Sequence, residues 1–181
     1  PGWYTGLWEL VPGIGKDGGP GWRIWMSDVD AERKDHTPPL IFAQLVHARR
    51  VLINGLGLGM VLKAMLALPE VEHVDVVEIS MDVFKLVGPA YAADPRVTFH
   101  IDDALTMKWP RRTGWDLAWH DIWTHGHKDF LPQSQRLHRM YGHRVTWQGS
   151  WARNAMLEHR DELVKFGAEM AKRQARENAD S

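Results

Sequence analysis

A chain of 181 residues with 44% hydrophobic and 25% charged positions can bury one sizeable core, and is too apolar for a disordered polymer. Its 22 Lys and Arg against 23 Asp and Glu leave a formal net charge of -1, which gives no sign of a dedicated polyanion-binding surface, although local basic patches stay open. The absence of cysteine excludes disulfides, thiolate metal sites and cysteine nucleophiles. No stretch is long and apolar enough to span a membrane, and Pro1 to Gly6 carries no basic, apolar leader, so the expectation is a cytoplasmic protein with no membrane partner. The chain begins at proline, which leaves room for an upstream segment.

In chain order, residues 1–35 read as an appendage and connector. Short Trp-, Leu- and Val-rich pieces flank Pro12 to Gly21, whose prolines and glycines favour a turn, so the segment predicts a β-hairpin followed by a polar connector from Asp28 to Asp35. Thr37-Pro38 reads as a hydroxyl cap with proline in the first turn of a helix, and Leu40, Ile41, Ala43, Leu45 and Val46 continue its apolar face. Asp35 and His36 read as solvated linker side chains, with closure over a bound cofactor as the lesser alternative.

Residues 36–157 then alternate between buried strands and helices. Arg50 to Ile53 is a strand, Leu58 to Leu68 a helix closed by Pro69, Val74 to Ile79 a strand, and Ser80 to Val87 a helix. After the Asp94-Pro95 turn come strands at Val97 to His100 and around Leu117 to Trp119, then a helix at Ser134 to Tyr141 and a strand at Arg144 to Trp147. Short continuous apolar strands spaced by helices specify βαβ units and an α/β fold with a doubly wound, mostly parallel sheet. Residues 158–181 predict an amphipathic helix over Glu158 to about Glu177, with Leu163, Phe166 and Met170 on one face, able to cap the sheet or to meet a partner such as a second copy of the chain.

Three features point to nucleotide binding. The loop Asn54-Gly55-Leu56-Gly57-Leu58-Gly59 lies between a strand and a helix, where missing Cβ atoms permit a tight turn and close approach of a ligand, and free amides can receive an anion. Glu78 ends the next strand about twenty residues on, where a carboxylate accepts ribose hydroxyls. The third strand leads into Asp102-Asp103-Ala104. Asp103, or its neighbour Asp102, can accept from an adenine amino group while Ala104 or Leu105 packs on the ring; a solvated or turn-capping aspartate is the plainer alternative.

With the segments "VLINGLGLGMVLKAML", "VDVVEIS", "RVTFHIDDAL" and "WDLAWHDIW", residues 50 to 123 resemble the class I S-adenosylmethionine-dependent methyltransferases, most closely their spermidine-synthase-like branch. The resemblance covers about two-fifths of the chain and implies a Rossmann-like fold with S-adenosylmethionine as cofactor. It implies that the glycine loop faces the methionine portion, that Glu78 binds ribose, that Asp103 lies near adenine, and that Asp121 stands where the transferable group meets its acceptor. A nicotinamide dehydrogenase would need its third glycine at position 60, which is Met60.

The candidate catalytic residues are Asp121 and His120 at the exit of the fourth strand, orienting and deprotonating an acceptor, with His120 also readable as a packed, hydrogen-bonded side chain. Candidate substrate contacts are Trp123, Gln148 and Ser150, the last two read as part of a turn after the fifth strand. His125, His127 and Asp129 have metal-ligand chemistry but no spacing that establishes convergence, so no metal is expected. "HDIWTHGHKD" departs from the aspartate-serine-serine-aspartate-proline run of the aminopropyltransferases, which makes aminopropyl transfer the lesser alternative; a catalytically silent cofactor-binding or assembly protein is another. The lack of cysteine and of an Asn/Asp-Pro-Pro-aromatic motif speaks against the usual DNA methyltransferases. The acceptor expected is therefore a small molecule or a protein, with no specific nucleic acid.

Overall fold

In the computed structural model, residues 5–124, 128–158, 160–162 and 164–166 are described. The elements are β1 (Gly6–Val11), β2 (Gly21–Ser27), α1 (Asp30–Asp35), α2 (Thr37–Leu45), β3 (Arg50–Asn54), α3 (Met60–Leu66), β4 (His73–Glu78), α4 (Met81–Val87), β5 (Val97–Ile101), β6 (Trp115–His120), α5 (Leu131–Tyr141) and β7 (Val145–Ser150). Residues 153–158, 160–162 and 164–166 are helical, so that helix starts ahead of the expected Glu158; Leu163 and Met170 lie outside the described residues.

β3 to β7 form a five-stranded sheet in the order β5-β4-β3-β6-β7, parallel at every pairing. Successive strands run outward from β3 in one direction and, after β6, in the other. The crevice at the carboxyl ends of β3 and β6 is therefore the topological switch point of the sheet. Side chains alternate between two cores: Val51, Ile53, Val74, Val76, Leu117 and Trp119 pack with Leu62 and Met65 of α3, while Leu52, Val77 and Ala118 pack with Leu137 and Tyr141 of α5 and with Met156. Burial on both faces explains why these strands read as continuous apolar runs.

Local chemistry sets most element ends. Ser80 caps α4, its hydroxyl accepting the Val83 N–H at 3.3 Å. At α2 the expectation is corrected: Thr37 lies inside the helix, His36 holds the N-cap position, and no side chain caps it. The connector is also corrected, because Asp30–Asp35 forms a helical turn whose Glu32 carboxylate takes the Ser27 N–H. β7 runs on to Ser150, beyond the expected Trp147, because pairing with β6 continues to His120↔Ser150.

The amino-terminal hairpin forms as expected, with β1 and β2 antiparallel and Trp8 opposite Ile24, Leu10 opposite Trp22. These four side chains are exposed, whereas Trp115, Trp119 and Trp123 are buried. The tryptophans thus divide between core and surface.

One buried carboxylate ties the sheet together. Asp75 on β4 accepts from the Trp115 indole N–H at 2.8 Å and bonds the His100 imidazole at 2.8 Å, with His73 at 3.3 Å. Burial works against its ionisation, but the His100 and Trp115 hydrogen bonds and the His73 charge outweigh it and hold its carboxyl below the usual range. Asp75→Ala strands a buried indole donor and both imidazoles, so urea unfolding should show a loss of about 2–4 kcal/mol. A loss within error would mean that the network contributes nothing net.

Candidate functional site

A cleft of about 320 Å³ opens at the switch point. Its wall includes Gly55 and Gly57 from the loop after β3, Glu78 and Ile79 at the end of β4, Asp102 to Leu105 after β5, and Asp121 to Thr124 after β6. The remaining lining comes from Leu7, Trp25 and Met26 of the hairpin and from Val77, Val83 and Gln133. Of the sequence candidates, Gly55, Gly57, Glu78, Asp102, Asp103, Ala104, Asp121 and Trp123 meet here.

The loop is shaped by two glycines. Gly55 has φ 96°, and a Cβ there would be driven into the Asp121 carbonyl oxygen; the chains leaving β3 and β6 cross with no room for a side chain. Gly57, at φ 49°, lies under the Met26 sulfur, and the neighbouring Leu58 N–H points to that sulfur at 3.1 Å. Gly59 caps α3 in the left-handed region and stands beneath Tyr91.

Glu78 is buried and braces the loop: Oε2 accepts the Leu56 N–H at 2.8 Å and Oε1 the Ser80 N–H at 2.7 Å. Each carboxylate oxygen keeps a second lone-pair direction for a ligand hydroxyl. Asp103 is also a turn cap, its Oδ1 accepting the Leu105 N–H at 2.8 Å, while Asp102 Oδ1 accepts the Asp103 N–H at 2.7 Å. Ala104 is buried beside them. The Trp123 indole donates to Gln133 Oε1 at 2.9 Å, fixing its ring in the wall.

The adjacent candidates His120 and Asp121 separate. Asp121 faces the cleft, whereas His120 is wholly enclosed beneath it. Asn54 Nδ2 donates to His120 Nδ1 at 2.8 Å, which leaves Nε2 to donate to Gln148 Oε1 at 3.2 Å. Burial pushes this imidazole down to about 3, with the Gln148 bond opposing, so it is neutral at pH 7 and has no path to an acceptor in the cleft. His138, hydrogen-bonded to Ser150 Oγ at 2.8 Å, is likewise pushed down to about 4 by burial and by the Arg153 charge. Asn54, Gln148 and Ser150 thus serve this buried network and do not line the cleft. His125 and His127 lie outside the described residues; Asp129 is in the turn before α5.

The residue whose main contact sequence reasoning missed is His36. It is buried, not solvated, with Nδ1 on the Glu32 carbonyl at 2.6 Å and Nε2 on Asp121 Oδ2 at 2.6 Å. A carbonyl only accepts and an ionised carboxylate only accepts, so both ring nitrogens carry protons and the pair is an imidazolium–carboxylate. Burial opposes that charge, but the Asp121 hydrogen bond and charge, the Glu32 carbonyl and the Asp35 charge together raise the His36 pKa above its ordinary 6.5. The only signal in the sequence was a histidine just ahead of a helix that leads into β3. The hairpin residues Leu7, Trp25 and Met26, and Gln133, carried no local signal at all.

No family model and no curated protein matches the chain. Solved structures do. A Staphylococcus aureus protein proposed to be a caffeoyl-CoA O-methyltransferase superposes with a TM-score of 0.51 at 15% identity, over 65% of this chain and 54% of its own. The methyltransferase domain of bacterial CtHen1-C superposes with a TM-score of 0.51 at 18% identity, over 68% of this chain and 62% of its own. The Rossmann-like α/β fold is thus shared with these methyltransferase structures. The chain spans less than two thirds of the length of either structure. Among the described residues no helix is long and apolar enough to cross a membrane.

The His36–Asp121 pair has a pH signature. A raised pKa means that its stabilisation is complete below the ordinary value of 6.5 and is lost as pH rises through the folded value. His120 and His138, whose pKa values are depressed, act in the opposite window, weakening the fold as pH falls below 6.5. Urea unfolding from pH 6 to 9 should therefore show stability falling with pH in the wild type, and a flattened profile in both His36→Gln and Asp121→Asn. An unchanged alkaline slope in both variants would remove the pair as its source.

Proposed function

We propose that the chain is an S-adenosylmethionine-dependent methyltransferase acting on a small-molecule or protein acceptor. The observation that carries this reading is the convergence of the glycine loop, Glu78, Asp102 to Ala104 and Asp121 on one cleft at the switch point of a Rossmann-like fold shared with methyltransferase structures. Placement in the spermidine-synthase-like branch rests on the sequence segments alone.

The residues fit the cofactor. Glu78 has spare acceptor capacity for ribose hydroxyls, Asp102 and Asp103 are acceptors for an adenine amino group, and Ile79, Ala104 and Leu105 supply apolar surface for the ring. Trp25 lines the cleft, and its buried indole N–H has no partner among the described residues, which suits a ligand acceptor. When bound, S-adenosylmethionine supplies a methyl group on a positively charged sulfonium.

The chain's own task is then to orient the acceptor. Asp121 Oδ2 is held by His36, and Oδ1 is the oxygen left to take a hydrogen bond, and then the proton, from an acceptor O–H or N–H. His36 touches the carboxylate and not the cleft, so it is a positioning residue: it fixes the direction of Oδ1 and offsets its charge. His120 has no direct part, and supports the floor through Asn54 and Gln148.

Calorimetry on the purified chain tests the cofactor. S-adenosylmethionine and its demethylated product should bind, NAD should not, and Glu78→Gln, which keeps the side-chain shape and one carbonyl acceptor, should bind about 10- to 100-fold more weakly, the cost of two weakened hydrogen bonds to a charged group. Failure of both sulfonium and thioether ligands to bind would sink the assignment, and preference for the decarboxylated cofactor would replace methyl by aminopropyl transfer.

A further inference from the structure

A second cavity, of about 600 Å³, lies at the opposite end of β6 and β7, lined by Arg111, Arg112, Thr113, His143 and Arg144. Its lining residues are three arginines, a histidine and a threonine, with no carboxylate, in a chain whose charges otherwise nearly cancel. Such a concentration in one concavity focuses positive potential there.

The cavity is built on a fastened turn. The Arg144 guanidinium donates to the carbonyls of Pro110 at 3.2 Å and Thr113 at 2.9 Å, and its own carbonyl accepts the Trp115 N–H at 2.8 Å. From the other side Arg50 Nε donates to the Gly114 carbonyl at 3.2 Å. Arg112 is held at φ 73°, a left-handed conformation that residues with a Cβ rarely adopt. Among the described residues Arg111, Arg112 and His143 have no carboxylate partner, and Asp116, the acid at this sheet edge, is occupied by the backbone N–H groups of Arg49 and Arg50. The turn thus brings Arg111 and Arg112 beside the fastened Arg144, with no carboxylate among their partners in the described residues.

We propose that this cavity is a binding site for a phosphorylated small molecule, a phosphate ester or diphosphate. Guanidinium forks match phosphate oxygens two at a time, and Thr113 adds a neutral donor. The volume exceeds a single phosphate and falls within the range of about 300–1,000 Å³ usual for small ligands. A long nucleic-acid backbone is the less suitable occupant, because the charge is gathered in one concavity on a protein with net charge -1. The site is independent of the proposed cofactor: six residues of β6 separate it from the cleft, about 20 Å at the rise of a strand.

Inorganic pyrophosphate titrated into the full chain, with sodium chloride at matched ionic strength as control, should bind saturably by calorimetry and move the His143 ring resonances by NMR. The double variant Arg111→Gln with Arg112→Gly should bind at least about tenfold more weakly. Its unfolding midpoint should not fall, since glycine relieves the left-handed position; the single Arg112→Gly variant, expected to weaken binding several-fold, serves if the double variant fails to fold. Unsaturable binding, a chloride response equal to that of pyrophosphate, or unchanged affinity in the variants would overturn the proposal. So would a single-stranded RNA dodecamer binding more than tenfold tighter than pyrophosphate, which would make the surface a nucleic-acid contact.

Discussion

The carboxyl ends of β3 and β6 leave the sheet side by side, and at that point the Asp121 carbonyl occupies the space where any side chain at residue 55 would be. The hydrogen bond from Asp121 N–H to Asn54 O holds the crossing at 2.8 Å, and Gly55 N–H to Val77 O, also 2.8 Å, ties the start of the loop to β4. From this crossing the cleft follows in order. The loop turns back far enough for the Leu56 amide to reach Glu78, the exit of β6 is directed over the loop, and the Asp121 carboxylate comes within reach of a histidine 85 residues earlier in the chain. Each of these contacts assumes the close approach, which only the absence of a Cβ allows.

The parallel sheet was legible because its strands are buried on both faces and therefore written as apolar runs with helices between them. The glycine-loop side of the cleft was legible for a related reason: Gly55, Gly57, Glu78 and Asp103 stand at strand ends, and strand ends in a doubly wound sheet converge on one edge. The surroundings of β6 and β7 were less so. Gln148 and Ser150 looked like turn residues, since Gly149 sits between them, yet pairing with β6 carries the strand through all three. That extension turns Gln148 and Ser150 toward His120 and His138. The pairing of His36 with Asp121 and the place of the hairpin residues were illegible, because they depend on how an appendage docks, which no local pattern encodes.

Two histidines one shell apart show how partners decide protonation. His36 and His120 are both buried, and burial disfavours charge on each. His36 meets a carboxylate and a carbonyl, acceptors that require both protons. His120 meets an amide N–H on one side and an amide oxygen on the other, which specify a single proton. The amide-bonded ring makes a rigid neutral floor, and the carboxylate-bonded ring makes a charged clasp between α1, α2 and the exit of β6. Adjacency of His120 and Asp121 in sequence suggested a joint role, but alternation along the strand sends one below the cleft and leaves the other in it.

The Met26 thioether ties the hairpin to the glycine loop through the Leu58 amide, and a ligand acceptor at that amide would compete with the sulfur for its hydrogen bond. A methionine is suited to such a tie: its sulfur is a weak acceptor and its chain is flexible, so the contact joins the two without fixing them.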